Sequence, residues 1–465
     1  MKWLKNRFLS LTYVGLMALL VFVGCTSKED PAEVLPLCGN HTCGDLAMVT
    51  TDTSSEGFHY LNPHMSPDES QILFTADWKA IPAIAHYDQD ELYTTFRQII
   101  LIPKRSSVDP APSLEAQEGV LVRFDGDRTV LWISGSSVVL YNIEAERRKA
   151  DPCWIDNSNI ALSVETPRGY RIFTADITDV CPDLTCRIVP TVAYMEPDDD
   201  TISGGQFQHL ESILSPDGRW LAFTRSGCAL PDSFETCTGL SLNVLDRYTL
   251  GANNGYDAVL IPLTHEYSRI EKPRWSHDST KLVFSGGHDL ANETGAGTEL
   301  YTIDFDTTGF SAGNMELDKN LDRLTFTSYL EGDPISGVFN TSPSYTNDDS
   351  EIIFVSTRRA PSITLHDRNL WKIPSDGRLD PEILYFTRSD DVDPEVQPDG
   401  TVLLSSQLGF PTEILDQLEE EAYQALVQEN DGSMTEVEMR SLAADSRRQL
   451  EFFEGVMSYL YIFQP

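Results

Sequence analysis

Beyond its N-terminal segment, this chain carries its apolar residues in short runs, each broken by a cluster of turn-forming residues. The clearest is Leu214-Ser215-Pro216-Asp217-Gly218-Arg219-Trp220-Leu221-Ala222-Phe223-Thr224. The figure recurs at Met65-Ser66-Pro67-Asp68 leading to Ile72-Leu73-Phe74, at Trp275-Ser276-His277-Asp278 leading to Leu282-Val283-Phe284, and at Tyr345-Thr346-Asn347-Asp348 leading to Ile352-Ile353-Phe354. It returns at Val396-Gln397-Pro398-Asp399-Gly400 before Val402-Leu403-Leu404, and in worn form over 122–133 and 152–162. Each copy predicts strand, tight turn, strand. Proline presets one turn dihedral, aspartate bonds its own backbone, and the flanking runs are rich in aromatic and β-branched residues. A further strand follows most copies, as at 240–246 and 369–373.

A repeat of this length implies small sheets stacked about an axis, each covering the apolar faces of its neighbours. The fold class expected is all-β, a six- or seven-bladed β-propeller, with seven favoured because seven copies are countable. Asp217, Asp278, Asp348 and Asp399 are spaced more widely than the ~40–50 residues of a usual four-stranded blade, so enlarged loops are expected. The unit of proline, aromatic, Ser-Pro-Asp-Gly and short apolar strand resembles the repeat of TolB-type propellers over roughly residues 56 to 410. That resemblance implies the fold and leaves function open. It does not extend to the α/β domain that precedes the propeller in TolB.

Toward the C-terminus the period changes. Residues 413–428 and 435–453 repeat their apolar positions at helical spacing, with Leu415, Leu418, Ala422 and Leu426 on one face, and 457–463 returns to strand character. A helical hairpin over 412–455 is therefore expected as an insertion in the last blade, with the chain's end supplying a further strand. The loop between the helices has Asp431-Gly432 and Glu438 at calcium-loop spacing, but Val427 at the first ligand place argues for a plain turn.

The other end carries Lys2, Lys5 and Arg7, an apolar run over 8–23, and Gly24-Cys25. This reads as a signal peptide over 1–24. Val21-Phe22-Val23-Gly24-Cys25 resembles a bacterial lipobox, which implies lipid on Cys25. Residues 25–55 are expected as a tether and 56–465 as the propeller. Thr26 stands where an inner-membrane retention aspartate would be, so an outer-membrane site in the cell envelope is expected. The formal charge of −38 disfavours nucleic acid as a partner and points to a heavily solvated surface.

Setting Cys25 aside, the cysteines fall into close couples, Cys38 with Cys43, Cys181 with Cys186, and Cys228 with Cys237, as expected for loop disulfides in an oxidising compartment. Cys153, beside Trp154, is expected as a buried thiol. No G-x-S-x-G, H-E-x-x-H, Walker or dinucleotide motif is present. Neither a cofactor nor a metal is expected from spacing. The inner strands should begin near the motif prolines, placing Asn62, His64, Asp151, Lys272, Arg274, Ser342, Ser344, Asp393 and Glu395 at one mouth of the channel as a polar binding funnel. The leading expectation is a non-enzymatic binding platform for a protein or cell-wall component. The alternative is a metal-dependent lyase or hydrolase acting on carbohydrate, because oligogalacturonate lyases of related repeat hold a metal on histidines, and His59, His64, His209 and His288 are the candidates.

Overall fold

The computed structural model describes residues 46–48, 58–79, 95–103, 120–121, 131–134, 137–140, 149–166, 169–178, 190–194, 206–228, 237–255, 257–291, 297–306, 317–326, 338–358, 368–385, 391–406, 412–429, 434–452, 459–463 and 465. Among these, the strands form six four-stranded antiparallel sheets and one separate two-stranded hairpin. The innermost strands of blades 1 to 6 are Phe58–Met65, Lys149–Asp156, Gln206–Leu214, Ile270–Trp275, Asn340–Tyr345 and Asp391–Val396. Each neighbours the next, and the sixth returns to the first, so the ring closes as a six-bladed β-propeller.

Blade 3 illustrates how the sequence builds a unit. Gln206–Leu214, Trp220–Cys228, Cys237–Asp246 and Leu260–Pro262 pair in chain order. In the first turn, Asp217 accepts the Arg219 N–H at 3.0 Å while Ser215 Oγ accepts the Trp220 N–H at 2.9 Å. The apolar run that follows is continuous because both faces of the sheet are covered. Leu221 and Phe223 pack with Cys153, Ala161 and Ile172 of blade 2, whereas Trp220 and Ala222 pack with Trp275, Leu282 and Phe284 of blade 4. The core therefore lies between blades rather than within them. The same interleaving joins blade 1 to blade 2 and blade 4 to blade 5.

Six blades replace the seven favoured from the repeat count. The worn copy over 122–133 contributes Leu131–Ser134, which pairs only with Ser137–Leu140 in an isolated hairpin. The inner strands of blades 1 and 2 are already neighbours, so no further blade stands between them. Blade 6 takes its inner three strands from Asp391–Val396, Val402–Ser406 and Tyr459–Phe463, and its outermost from Leu46–Met48. Leu46 stands opposite Phe463 and Met48 opposite Tyr461, so both ends of the chain meet in one sheet. The propeller thus takes in part of the stretch expected as tether.

Helices α1 (Thr412–Glu429) and α2 (Glu436–Phe452) lie between the second and third strands of blade 6, as an insertion. Thr435 caps α2 in a reciprocal box. Its Oγ1 accepts the Glu438 N–H at 3.3 Å, and Glu438 Oε2 accepts the Thr435 N–H at 2.7 Å. Tyr423, Met439 and Ala443 form a small core between the helices, with the Arg440 guanidinium 3.5 Å from the Tyr423 ring centroid.

Candidate functional site at the channel

Every inner strand is interrupted at the same place. Pairing with the second strand skips between Leu61 and His64, Ala150 and Cys153, Leu210 and Ile213, Glu271 and Arg274, Thr341 and Ser344, and Val392 and Glu395. Two residues oppose one, which defines a β-bulge. The first bulged residue is in turn Asn62, Asp151, Glu211, Lys272, Ser342 and Asp393, all with φ between 48° and 57°. The second is proline in five blades (Pro63, Pro152, Pro273, Pro343, Pro394) and Ser212 in blade 3. A bulge on an edge strand asks for no ladder N–H, which is why proline is accommodated there. The single residue opposite is Phe74, Leu162, Phe223, Phe284, Phe354 or Leu404, each buried.

The bulges turn six side chains toward one another around the channel. Asn62 donates through Nδ2 to Asp151 at 2.6 Å and through its N–H to Asp393 at 3.0 Å. The Glu211 N–H donates to Asp151 at 3.2 Å, the Lys272 N–H to Glu211 at 2.7 Å, and Ser342 Oγ to Asp393 at 2.9 Å. Lys272 spans the channel: its Nζ lies 3.0 Å from Asp393 Oδ1 of blade 6 and also donates to Asn62 Oδ1 of blade 1, on the opposite side of the ring. A closed polar belt results.

Its charges are shifted by burial and by each other. Burial raises the Glu211 carboxyl and outweighs the opposing Lys272 ammonium, and Asp151 and Glu271 push the same way, to about 7. Burial also pushes Asp393 up, but Lys272 and three hydrogen bonds more than reverse it, so this carboxyl titrates below its ordinary range. For Lys272, burial is outweighed by Asp393, Glu211 and Asp151, and its ammonium is held above the ordinary value.

Of the residues singled out from sequence, Asn62, Asp151, Lys272, Ser342 and Asp393 stand in this belt. The others lie two residues further along, between blades. His64 Nδ1 is 3.0 Å from Glu395 Oε1, whose other oxygen accepts the Met65 N–H at 3.1 Å. Ser344 Oγ accepts the Val396 N–H at 3.2 Å, and Arg274 is buried with one Nη1 contact to Pro273 O at 2.9 Å. Glu211 was missed because blade 3 lacks the proline, yet it lies four residues before Ser215, the same offset that relates Asn62 to Ser66 and Lys272 to Ser276.

On the side where the inner strands begin, the belt floors a cavity of about 500 Å³ lined by blades 4, 5 and 6 and by Leu61 of blade 1. Lys272, Ser342 and Asp393 form its base, Leu61, Val355 and Val392 supply apolar wall, and Arg269, Glu271, Phe339 and Arg368 surround its mouth. Arg269 Nε pairs with Glu271 at 2.9 Å, and its guanidinium sits 5.6 Å from the Phe339 ring centroid. The hydroxyls of Thr298, Ser342 and Thr357 are engaged with Asn340 O, Asp393 and the Phe339 N–H.

The candidate histidines stand apart. His209 packs between Tyr194 and Phe223, His64 faces Glu395, and His288 is buried in the turn after the second strand of blade 4. Among the described residues, no three His, Cys, Asp or Glu side chains converge as metal ligands. Cys153 is a buried thiol, pushed up to about 11 by burial. Cys228 and Cys237 are register partners on adjacent strands. Cys25, the signal segment, and the couples Cys38–Cys43 and Cys181–Cys186 lie outside the described residues. No described helix is long and apolar enough to cross a membrane.

Neither a family model nor a curated protein matches the chain. Among solved structures it is similar to a puromycin-hydrolyzing peptidase of Mycobacterium tuberculosis, at 13% identity and a TM-score of 0.42 over 79% of this chain and 46% of that one. It is similar to TolB from Acinetobacter baumannii at 15% identity and a TM-score of 0.37, covering 77% of this chain and 62% of TolB. The β-propeller domain of the Trilobed protease from Pyrococcus furiosus gives 8% identity and a TM-score of 0.35, covering 75% and 78%. The chain thus spans less than two thirds of the length of the first two, and the likeness is one of fold.

Proposed function

We propose that this chain is a lipid-anchored envelope protein whose propeller serves as a non-enzymatic platform for a protein or cell-wall partner, bound at the cavity mouth. The observation that carries this reading is the division of labour in the channel. Polar groups at mid-height are spent on one another, and what stays open is a walled cavity with neither histidine nor cysteine in its lining. Three of its four hydroxyls are engaged as described, and the one that meets a carboxylate, Ser342, meets Asp393, which is itself paired with Lys272. A cavity of this size is suited to a few side chains or a small ligand group. Lipid on Cys25 would hold the platform at a membrane, and local disulfides would suit an exported chain.

The test is affinity capture from native envelopes with the lipidated full chain, beside a Thr341→Trp variant that fills the cavity. One stoichiometric protein or cell-wall fragment, lost with Thr341→Trp, is the expected outcome. Equal capture by the variant, or cleavage of a polysaccharide by the purified chain, overturns the reading.

A further inference from the structure

We infer that Asn254 is a site of self-modification, its carboxamide attacked by the backbone nitrogen of Gly255 and lost as ammonia, so that aspartate and isoaspartate accumulate in the loop by which blade 3 holds blade 2. Asn254-Gly255 is the single Asn-Gly step in the 465 residues. It lies in Gly251-Ala252-Asn253-Asn254-Gly255, between the third and fourth strands of blade 3 and on the side of the Pro-Asp turns. Asn253 and Asn254 both occupy the left-handed region, with φ of 50° and 57°, between Gly251 at 72° and Gly255 at 90°. Asparagine enters that region more readily than most residues with a β-carbon, which is why a pair of them can stand between two glycines.

The reaction needs an exposed, unengaged carboxamide followed by a residue that has an N–H and little bulk. Other asparagines fail one of these conditions. Asn62 also has positive φ, but it is buried and Pro63 has no N–H to react. Asn320 is held, with Nδ2 donating to Asp304 at 2.7 Å, and Leu321 follows it. Asn157 precedes Ser158, yet its Oδ1 accepts the Asp68 N–H at 3.1 Å. Asn254 is exposed, its carboxamide meets no partner among the described residues, and glycine follows.

The step balances with water as the only co-reactant. Gly255 N bonds to Asn254 Cγ, the Cγ–Nδ2 bond breaks, and the Gly255 proton leaves with the ammonia. Water then opens the cyclic imide at Cγ to give aspartate, or at the Asn254 backbone carbonyl to give isoaspartate. With Asn254 ψ at 32°, Gly255 N points away from the Asn254 side chain, so the intervening peptide unit must turn before the ring can close. Glycine brings no β-carbon to resist that turn. Both products add a carboxylate, and isoaspartate also lengthens the main chain by a carbon. The change falls beside Gly251, whose N–H donates to Ala193 O, just past the fourth strand of blade 2, at 3.0 Å.

The experiment stores the full chain in mildly alkaline oxygen-18 water and follows the tryptic segment 248–269 by mass spectrometry. The segment is expected to exchange its Asn254 amide nitrogen for a labelled oxygen, with isoaspartate exceeding aspartate and accepting a methyl group from an isoaspartyl methyltransferase. Asn254→Gln should abolish the exchange. Gly255→Ala should slow it about tenfold, the equivalent of roughly 1.4 kcal/mol on the barrier. Alanine is strained at φ 90°, so circular dichroism checks the fold of that variant, and Asn254→Gln decides the site in any case. An Asn254 that stays intact in the folded chain while the same chain reacts in urea would overturn the inference. So would aspartate without isoaspartate, or a faster reaction at Asn253. Neither variant touches the cavity, so the platform reading is independent of the result.

Discussion

Lys272 brings a single positive charge into a belt that holds the carboxyls of Asp151, Glu211 and Asp393. Removing it while leaving the acids in place strands buried charge, so Lys272→Met should cost roughly 3–5 kcal/mol in urea unfolding. Pairing it with Asp393→Asn should recover part of that loss. A strictly additive double mutant would show that the two side chains do not couple. Glu211 makes a pH prediction. Its folded pKa is raised to about 7, mainly by burial, so in the window between the ordinary 4.5 and 7 the native state binds more protons than the unfolded chain. Stability from this group is present below about 4.5 and lost as pH rises through 7. Thermal unfolding across that window should therefore fall more steeply for the native chain than for Glu211→Gln, and parallel curves would contradict the assignment. The belt was half legible from sequence: five prolines marked it, but nothing local says that the residue before each proline turns inward. That requires the bulge, which exists only once a second strand is paired.

At the scale of elements, the turns were readable because their chemistry is local. Ser or Thr, Asp and a small polar residue within one short segment bond one another regardless of context. The helical hairpin was readable for the same reason, by period alone. Two elements were not. Residues 122–133 carry the right residues for a blade, yet among the described residues they contribute only a two-stranded hairpin. Leu46–Met48 is too short to announce itself, and its partner Phe463 is at the other end of the chain. The hairpin's own small core, with the Arg440 to Glu420 pair at 2.6 Å, suggests a unit that the propeller can shed. Val402 pairs with Phe463 and Ser406 with Tyr459, so the strands it separates are adjacent where it leaves. Replacing 412–452 with a short Gly-Ser linker should keep the near-ultraviolet spectrum and shift Tm by no more than about 5 °C. Loss of cooperative unfolding would mean the helices are needed to assemble blade 6.

For the molecule as a whole, strand direction decides which mouth lies nearer the N-terminal segment. Leu46 and its partner Phe463 stand at the end of blade 6 that carries the Pro-Asp turn, whereas the cavity opens at the other end. If Cys25 bears lipid, roughly twenty residues separate it from Leu46, a span of about 25 Å for a flexible chain. Inner strands of this length add about 25 Å more before the cavity mouth is reached. In that case the turn mouth would be held nearer the bilayer and the cavity would be presented away from it. Trypsin can read this on full chain bound to phosphatidylcholine vesicles, against soluble Cys25→Ala. Arg378, exposed in the turn between the third and fourth strands of blade 5, is on the turn side, and Arg368, exposed before the third strand, is at the cavity mouth. Lipidation should slow cleavage after Arg378 several-fold and leave cleavage after Arg368 unchanged. Slowing at Arg368 instead would place the cavity against the lipid, and equal rates at both sites would mean that the tether imposes no orientation. Either result would remove the reason to expect the partner on the open side of the ring.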